Sequence, residues 1–517
     1  MVHPFEPLGA SPPTPQNTDV PHLIVTDLTI CSSSPIPCER PHIWRRIEKD
    51  LYLWTLEQSA WLYIALANEE ELTARDLLVI DVKISKSRPN PSPGHSWESR
   101  PCGIWVLRSN FSGDTRHAVT ELDVLFGIDA VDPRPKWALM ESSLQLNPQP
   151  KIPVTMTVHY GRDNPVGNDQ PALRVGKDGK FKIVQISDMH MVTGVGVCKD
   201  ALDAYRKNMP QSEADPLTVN FVGKILDVEK PDLVIFTGDL LHHDIPDSLT
   251  ALLKAVAPVI KRKIPFAAVF GNHDTEGEHA LSRMAQMSIL QNLPGSLCKS
   301  GPEQIDGIGN FYLHVLAPEP SQLPLSTLYL LDSHGQIQSQ TNKPDYDTIK
   351  ESQIEWLRET TQAQRSDRPK HVKDHNFYLP LLFQHIPLPE FRDLRLIICS
   401  GHRREPTECP SINSGLYNVL VEEGILVVSC GHDHTNDFCA LLPQPQLGPW
   451  LCHAGACGFG GYCSYNEERF HRRTRIFLLN PSTGCLETWL RVEYTEGMVD
   501  KTLLVENGAV ACDLGPF

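Results

Sequence analysis

Three apolar runs, each ending in residues that bind metals, constrain this chain more than any other feature. Lys182–His190 reads KIVQISDMH, a strand-like run that leads into Asp188 and His190 with one residue between them. Neighbours two apart on a strand point the same way, so a strand end can aim both side chains at one point. A carboxylate with an imidazole suits a divalent transition metal. Leu233 to Thr237 then ends at Gly238-Asp239, and Pro265 to Phe270 ends at Gly271-Asn272-His273-Asp274. Between these runs, Leu217, Phe221, Val222, Ile225 and Leu226 repeat at helical spacing, with Asp215 expected as N-cap and Pro216 in the first turn. Leu249, Leu252, Leu253, Val256 and Ile260 repeat the same period. The pattern is βαβαβ, a parallel sheet whose carboxyl ends gather ligands. One such ending is chance; three in succession are hard to explain as packing.

The same grammar recurs downstream. Leu379 to Phe383 ends at Gln384-His385, and Leu426 to Ser429 ends at Cys430-Gly431-His432-Asp433-His434. Leu328 to Leu331 reads as a further strand and Tyr346 to Thr361 as a helix, while Thr474 to Leu479 and Thr488 to Val492 read as closing strands. Upstream, short strand-like runs with turn-forming punctuation suggest an antiparallel, β-rich companion. The expected organisation is a disordered start over 1–20, a β-rich domain over 21–165 and a linker over 166–180. The ligand-bearing domain then covers 181–495, and a tail covers 496–517.

Composition narrows the function classes. A length of 517 residues allows two to four domains, and a formal net charge of −16 argues against a nucleic-acid backbone as partner. No apolar run reaches the roughly 18 residues of a membrane span. The proline-rich start lacks a basic region followed by an apolar one, so no signal peptide is read and the expected compartment is the cytoplasm. The 14 cysteines are read on that basis as mostly reduced thiols. A disulfide or a structural zinc among Cys430, Cys439, Cys452, Cys457 and Cys463 stays open.

Taken together and in this order, SDMH, TGDLL, GNHD, QH and GHDH resemble the signature of the calcineurin-like metallophosphoesterases. FKIVQISDMHMVTGVG, FGNHDTEGEH, FQHIPLPEF and CGHDHTND are similar to a fungal and plant branch of that family. That branch takes in a yeast cell-cycle-regulating phosphatase and the short purple-acid-phosphatase-like proteins of plants. The resemblance implies an α/β fold, a sandwich of two mixed β-sheets flanked by helices. Relatives of the yeast phosphatase often carry an N-terminal membrane anchor, which is not read here.

Carried over block by block, the resemblance implies two metal ions, manganese, iron or zinc, as a divalent or mixed-valence pair. Asp188, His190, Asp239 and His434 would hold one; Asp239, Asn272, His385 and His432 would hold the other. A bridging hydroxide would attack the phosphorus of a phosphorylated protein or small molecule, with His273 as general acid. Asp274 either orients a neighbouring histidine or is a solvated carboxylate. Purple acid phosphatases place a metal-binding tyrosine three residues after the second-block aspartate, and here that position is His242. No iron–tyrosinate colour is therefore expected. The aspartate that pairs with the catalytic histidine in serine/threonine phosphatases is missing as well. His242 and His243 either line the site or solvate its edge. Arg403 and Arg404 either clamp phosphate with their planar forks or form an exposed basic pair. The glycine-rich run His453 to Tyr462 either borders the pocket or serves a close turn. The leading reading is a phosphomonoesterase, against a phosphodiesterase of the same superfamily and a non-catalytic partner-binding scaffold.

Overall fold

The computed structural model describes residues 22–32, 43–55, 58–90, 94–162, 171–210, 212–338, 345–367, 376–443 and 448–511. The expected disordered start lies outside them. The chain forms two compact units. The first contains two antiparallel three-stranded sheets. One runs in the order Leu23–Cys31, Trp61–Asn68, Ile43–Arg46; the other runs Leu77–Ile84, Ile104–Asn110, Trp97–Ser99. Ile24, Leu28, Leu62, Ile64, Val79, Val82 and Val106 are among its buried side chains, and the central strand Trp61–Asn68 is buried at every position but its two ends.

The second unit is built on two seven-stranded mixed sheets. The first sheet runs Phe266–Val269, Leu233–Thr237, Phe181–Ile186, Arg473–Asn480, Cys485–Val492, Val499–Glu506, Ala509–Val510. Its first three strands are parallel and the rest antiparallel. The second sheet runs Phe311–Leu316, Pro324–Leu330, Leu381–Phe383, Val427–Cys430, Trp450–His453, Cys439–Leu441, Ile397–Ser400. The residues after 495, expected as a tail, thus add two strands to the first sheet.

Strand alternation distributes the core. Ile183, Leu233, Ile235, Val269, Leu381, Phe383 and Val427 meet Phe477 between the two sheets. Their neighbours Val184, Val234, Phe236 and Ala268 turn outward to helices Ala214–Glu229 and Ser248–Lys261. Leu382 and Val428 turn to helices Glu351–Asp367 and Leu416–Glu422 on the other outer face. The layers are helix, sheet, sheet, helix. Strands covered on both faces read as unbroken apolar runs for this reason, and each fully buried Val, Ile or Phe contributes roughly 1.5–3 kcal/mol.

Two local expectations change. Asp215 lies inside the first turn of its helix, and Glu213 is the capping residue. The Asp215 carboxylate instead accepts from the Val192 amide at 3.0 Å and pairs with buried Lys254 at 2.5 Å. A tertiary partner of full charge outbids a local cap here. Among the crowded cysteines, Cys439 and Cys452 face each other on adjacent strands and form a disulfide, while Cys430, Cys457 and Cys463 are buried free thiols. Among the described residues, no helix is long and apolar enough to cross a membrane.

Candidate metal centre

The strand ends converge at one edge of the sandwich. Asp188, His190, Asp239 and His434 bring one ligand atom each within 4.8 Å of one another, and Asp239, His385 and His432 form a second group that shares Asp239. Gln185 braces the two sheets below them. Its amide donates to Thr237 Oγ1 at 2.9 Å and to the Cys430 carbonyl at 3.3 Å, and it accepts from Ser429 Oγ at 2.6 Å.

The backbone at these ends is turned hard. Asp188, His190, Asp239 and His432 all have φ between +49° and +74°. Non-glycine residues adopt this region at a cost, and functional sites are one place where such strain gathers. Gly238 and Gly461 are among the glycines needed here for their lack of a side chain. A Cβ on Gly238 would lie 2.6 Å from His385 Nδ1, and one on Gly461 would lie 2.4 Å from His434 Cε1 and 2.7 Å from His190 Cδ2. The glycine run around Gly458–Gly461 therefore packs directly on the ligand residues.

Hydrogen bonds set which ring nitrogens face the centre. His434 Nδ1 donates to the Tyr462 carbonyl at 2.7 Å, and His385 Nδ1 donates to the Thr237 carbonyl at 2.8 Å. Each Nε2 is thereby turned to the centre, where a metal-binding imidazole presents its lone pair. His434 Nε2 lies 3.0 Å from His190 Nε2 and 3.6 Å from Asp188 Oδ1, and His190 Nε2 lies 3.7 Å from Asp239 Oδ2. On the other side, His385 Nε2 lies 3.3 Å from Asp239 Oδ2, 3.2 Å from Asn272 Oδ1 and 3.3 Å from His432 Nδ1.

Burial decides the charge of these groups. It lowers His190 and His432 well below the ordinary imidazole range, lowers His434 to about 3, and raises Asp188 to about 7. Burial also acts against charge on His385 and Asp239. Their mutual attraction more than reverses it, lifting His385 to about 9 and holding Asp239 well below the carboxylate range. Neutral imidazoles at His190, His432 and His434, crowded on one another and on buried carboxylates, are a poor arrangement for a bare chain. They are a good one for two borderline cations sharing Asp239. The donor set fits a dinuclear metal site.

Other expected site residues fall differently. The amide of His273 donates to Asp239 Oδ1 at 2.9 Å, and its ring centroid is 5.4 Å from that of His190. Asp274 is buried and is not a solvated carboxylate. One oxygen accepts from the amides of Asp239 (3.0 Å) and Gly271 (2.7 Å), the other from Leu241 (2.9 Å). It latches two ligand-bearing loops together. His242 stands beside His190, with ring centroids 5.6 Å apart. Arg403 donates to the Phe391 carbonyl at 3.0 Å and lies over the Phe438 ring. Arg404 pairs with buried Asp437 at 2.7 Å and donates to the Thr435 carbonyl. Both guanidiniums are thereby engaged away from the ligand cluster.

Sequence reasoning did not find Glu276, whose carboxylate meets His273 Nδ1 at 2.5 Å. The signal available was its spacing: His273–Thr275 is a 3₁₀ turn, in which residues three apart eclipse. Nor did it find Arg283, which joins Asp332 to the carbonyls of Gly271 and His334 and so props the loop carrying Asn272.

This architecture and donor set fit the dimetal phosphoesterases. A family model for calcineurin-like phosphoesterases matches residues 181–436. Phosphatase DCR2 of Saccharomyces cerevisiae is 36% identical over 439 residues, covering 82% of this chain and 72% of that protein. An Arabidopsis thaliana protein named probable inactive purple acid phosphatase 29 is 33% identical over 359 residues, covering 65% of this chain and 89% of its own length. Among solved structures, a dimetal phosphatase from Danio rerio aligns at 14% identity over 63% of this chain and 99% of its own, with a TM-score of 0.40. The chain belongs to the calcineurin-like metallophosphoesterase family.

Proposed function

We propose that the chain is a metal-dependent phosphatase that hydrolyses phosphate monoesters, with His273 as the general acid. The observation that carries this is His273 beside the shared ligand Asp239, with Glu276 on its Nδ1. Asp188, His190, Asp239 and His434 would hold one ion, and Asp239, Asn272, His385 and His432 the other, drawn from manganese, iron or zinc. Two such ions supply an activated water and neutralise charge on the phosphoryl oxygens.

The chain's own residues do the rest. Burial works against a proton on His273, but Asp239 and Glu276 outweigh it and raise the imidazole above its ordinary value. The protonated form of His273 is thereby favoured, and its Nε2 can deliver that proton to the departing alkoxide. Asp274, Arg283 and the Tyr462 carbonyl hold the ligands in place throughout. The acidic chain favours small or protein phosphates over nucleic acids as substrates.

The test is hydrolysis of p-nitrophenyl phosphate and of bis-p-nitrophenyl phosphate by wild type and Asp239→Asn, with metal content measured for each. Turnover of the monoester, with two ions bound and both properties lost in the variant, is expected. Preference for the diester would replace this reading with a phosphodiesterase. The plant relative named as probably inactive motivates a second reading, a non-catalytic scaffold; wild type that retains no metal would favour it.

A further inference from the structure

The hydrolytic chemistry proposed above leaves Lys199 and His242 without a task. His242 is fixed by its backbone, whose amide donates at 2.9 Å to the carbonyl of Met191, next to His190. Its Nδ1 donates to the His243 carbonyl at 2.9 Å, so Nε2 carries the lone pair. That lone pair accepts from the Lys199 ammonium at 3.3 Å. The His242 ring nitrogens are both engaged, and what this position presents at the rim is a lysine.

Lys199 is exposed, yet its backbone is anchored to the centre. Its amide donates to the Phe459 carbonyl at 2.9 Å, and its carbonyl accepts from Arg472. Arg472 also donates to the carbonyls of Gly461 (3.0 Å) and Tyr462 (3.1 Å), in the run that packs against His190 and His434. Among the described residues Lys199 makes no ion pair. Asp244 and Glu276 are the acidic groups that act on His243, and Glu276 is taken up by His273; Asp200, next to Lys199 in the chain, is taken up by Arg469 and the Cys463 amide. From His273 the rim continues through His243, ring centroids 5.2 Å apart, to His242 at 4.1 Å and then to Lys199.

We infer that Lys199, held by His242, binds a second anionic group on the substrate's leaving portion. The preferred substrates are then phosphate monoesters that also carry a carboxylate or a second phosphate. This rests on the phosphatase reading and narrows its substrate class. The ammonium is a point charge that suits either anion. Its exposed setting limits the gain to about fivefold in affinity.

Calorimetric binding of non-hydrolysable probes to the metal-loaded full chain tests it without turnover. The probes are methylphosphonate, 3-phosphonopropionate, propane-1,3-diphosphonate and 3-aminopropylphosphonate. The carboxylate and diphosphonate probes are expected to bind about fivefold tighter than methylphosphonate and the amine weaker, the tighter of the two anions identifying the second group. Lys199→Ala is expected to level the series, and Lys199→Glu to invert it in favour of the amine. Equal affinities in wild type, or equal shifts for all probes in both variants, would overturn the role of Lys199 alone. Absence of any phosphonate binding with both ions present would overturn the phosphatase reading with it.

Discussion

Glu276 decides how His273 presents its proton. With Nδ1 tied to the carboxylate, Nε2 is the nitrogen left for a leaving group, and the raised pKa keeps it charged above its ordinary value near 6.5. Activity that needs this proton is lost as pH rises through the raised value. Glu276→Gln removes part of that support, so the alkaline fall moves to lower pH and kcat drops about tenfold, with KM little changed. The measurement is the kcat–pH profile on an alkyl phosphate beside that on p-nitrophenyl phosphate, whose good leaving group needs the proton less. Equal losses on both substrates would refute the acid role. Gly461 makes a separate prediction. The methyl group of Gly461→Ala would meet the His434 and His190 rings at 2.4 and 2.7 Å, so the variant is expected to lose the ion proposed for these residues while its thermal midpoint stays near wild type. Metal analysis beside a melting curve reads both.

At the scale of elements, the site is a set of loops that strand ends deliver and buried polar groups lock. Asp274 is the clearest lock, because its two oxygens accept three amides from the loops after Leu233–Thr237 and Phe266–Val269. Asp274→Ala leaves those amides buried without partners and is expected to cost about 3 kcal/mol of stability, together with metal affinity. Denaturant unfolding of the metal-free protein isolates the structural part; a loss under about 1 kcal/mol would show that the latch is not needed. The strand–ligand grammar was legible because an apolar run followed by Asp, Asn or His needs only local spacing to be seen. Asp215 was misplaced as a cap because its partner Lys254 lies on another helix, a pairing that no local pattern reveals.

For the whole molecule, metal binding and protonation are linked. The metal-free centre holds a proton on His385 up to about pH 9, and one on Asp188 up to about pH 7. A cation must displace them. Uptake therefore releases protons, and affinity rises with pH about tenfold per unit up to about pH 9, more steeply below pH 7. Calorimetry in two buffers of different ionisation enthalpy counts the protons released; none released at pH 6.5 would contradict the assignment of these ligands.

From the sequence by itself, periodicity and the residue types at strand ends determined the parallel βαβαβ run and its metal-type endings, while the two-sheet sandwich and the ligand set were what the resemblance of the five blocks to the calcineurin-like family implied. The sequence left open the partners of those residues: Glu276 on His273, the disulfide between Cys439 and Cys452, and the engagement of Arg403 and Arg404 away from the cluster. It also left open Lys199 at the rim and the two strands after residue 495. Only the tertiary structure decided these. Each depends on distances between groups remote in sequence, or on competition among buried charges for few partners, and hydrophobic spacing carries no information about either.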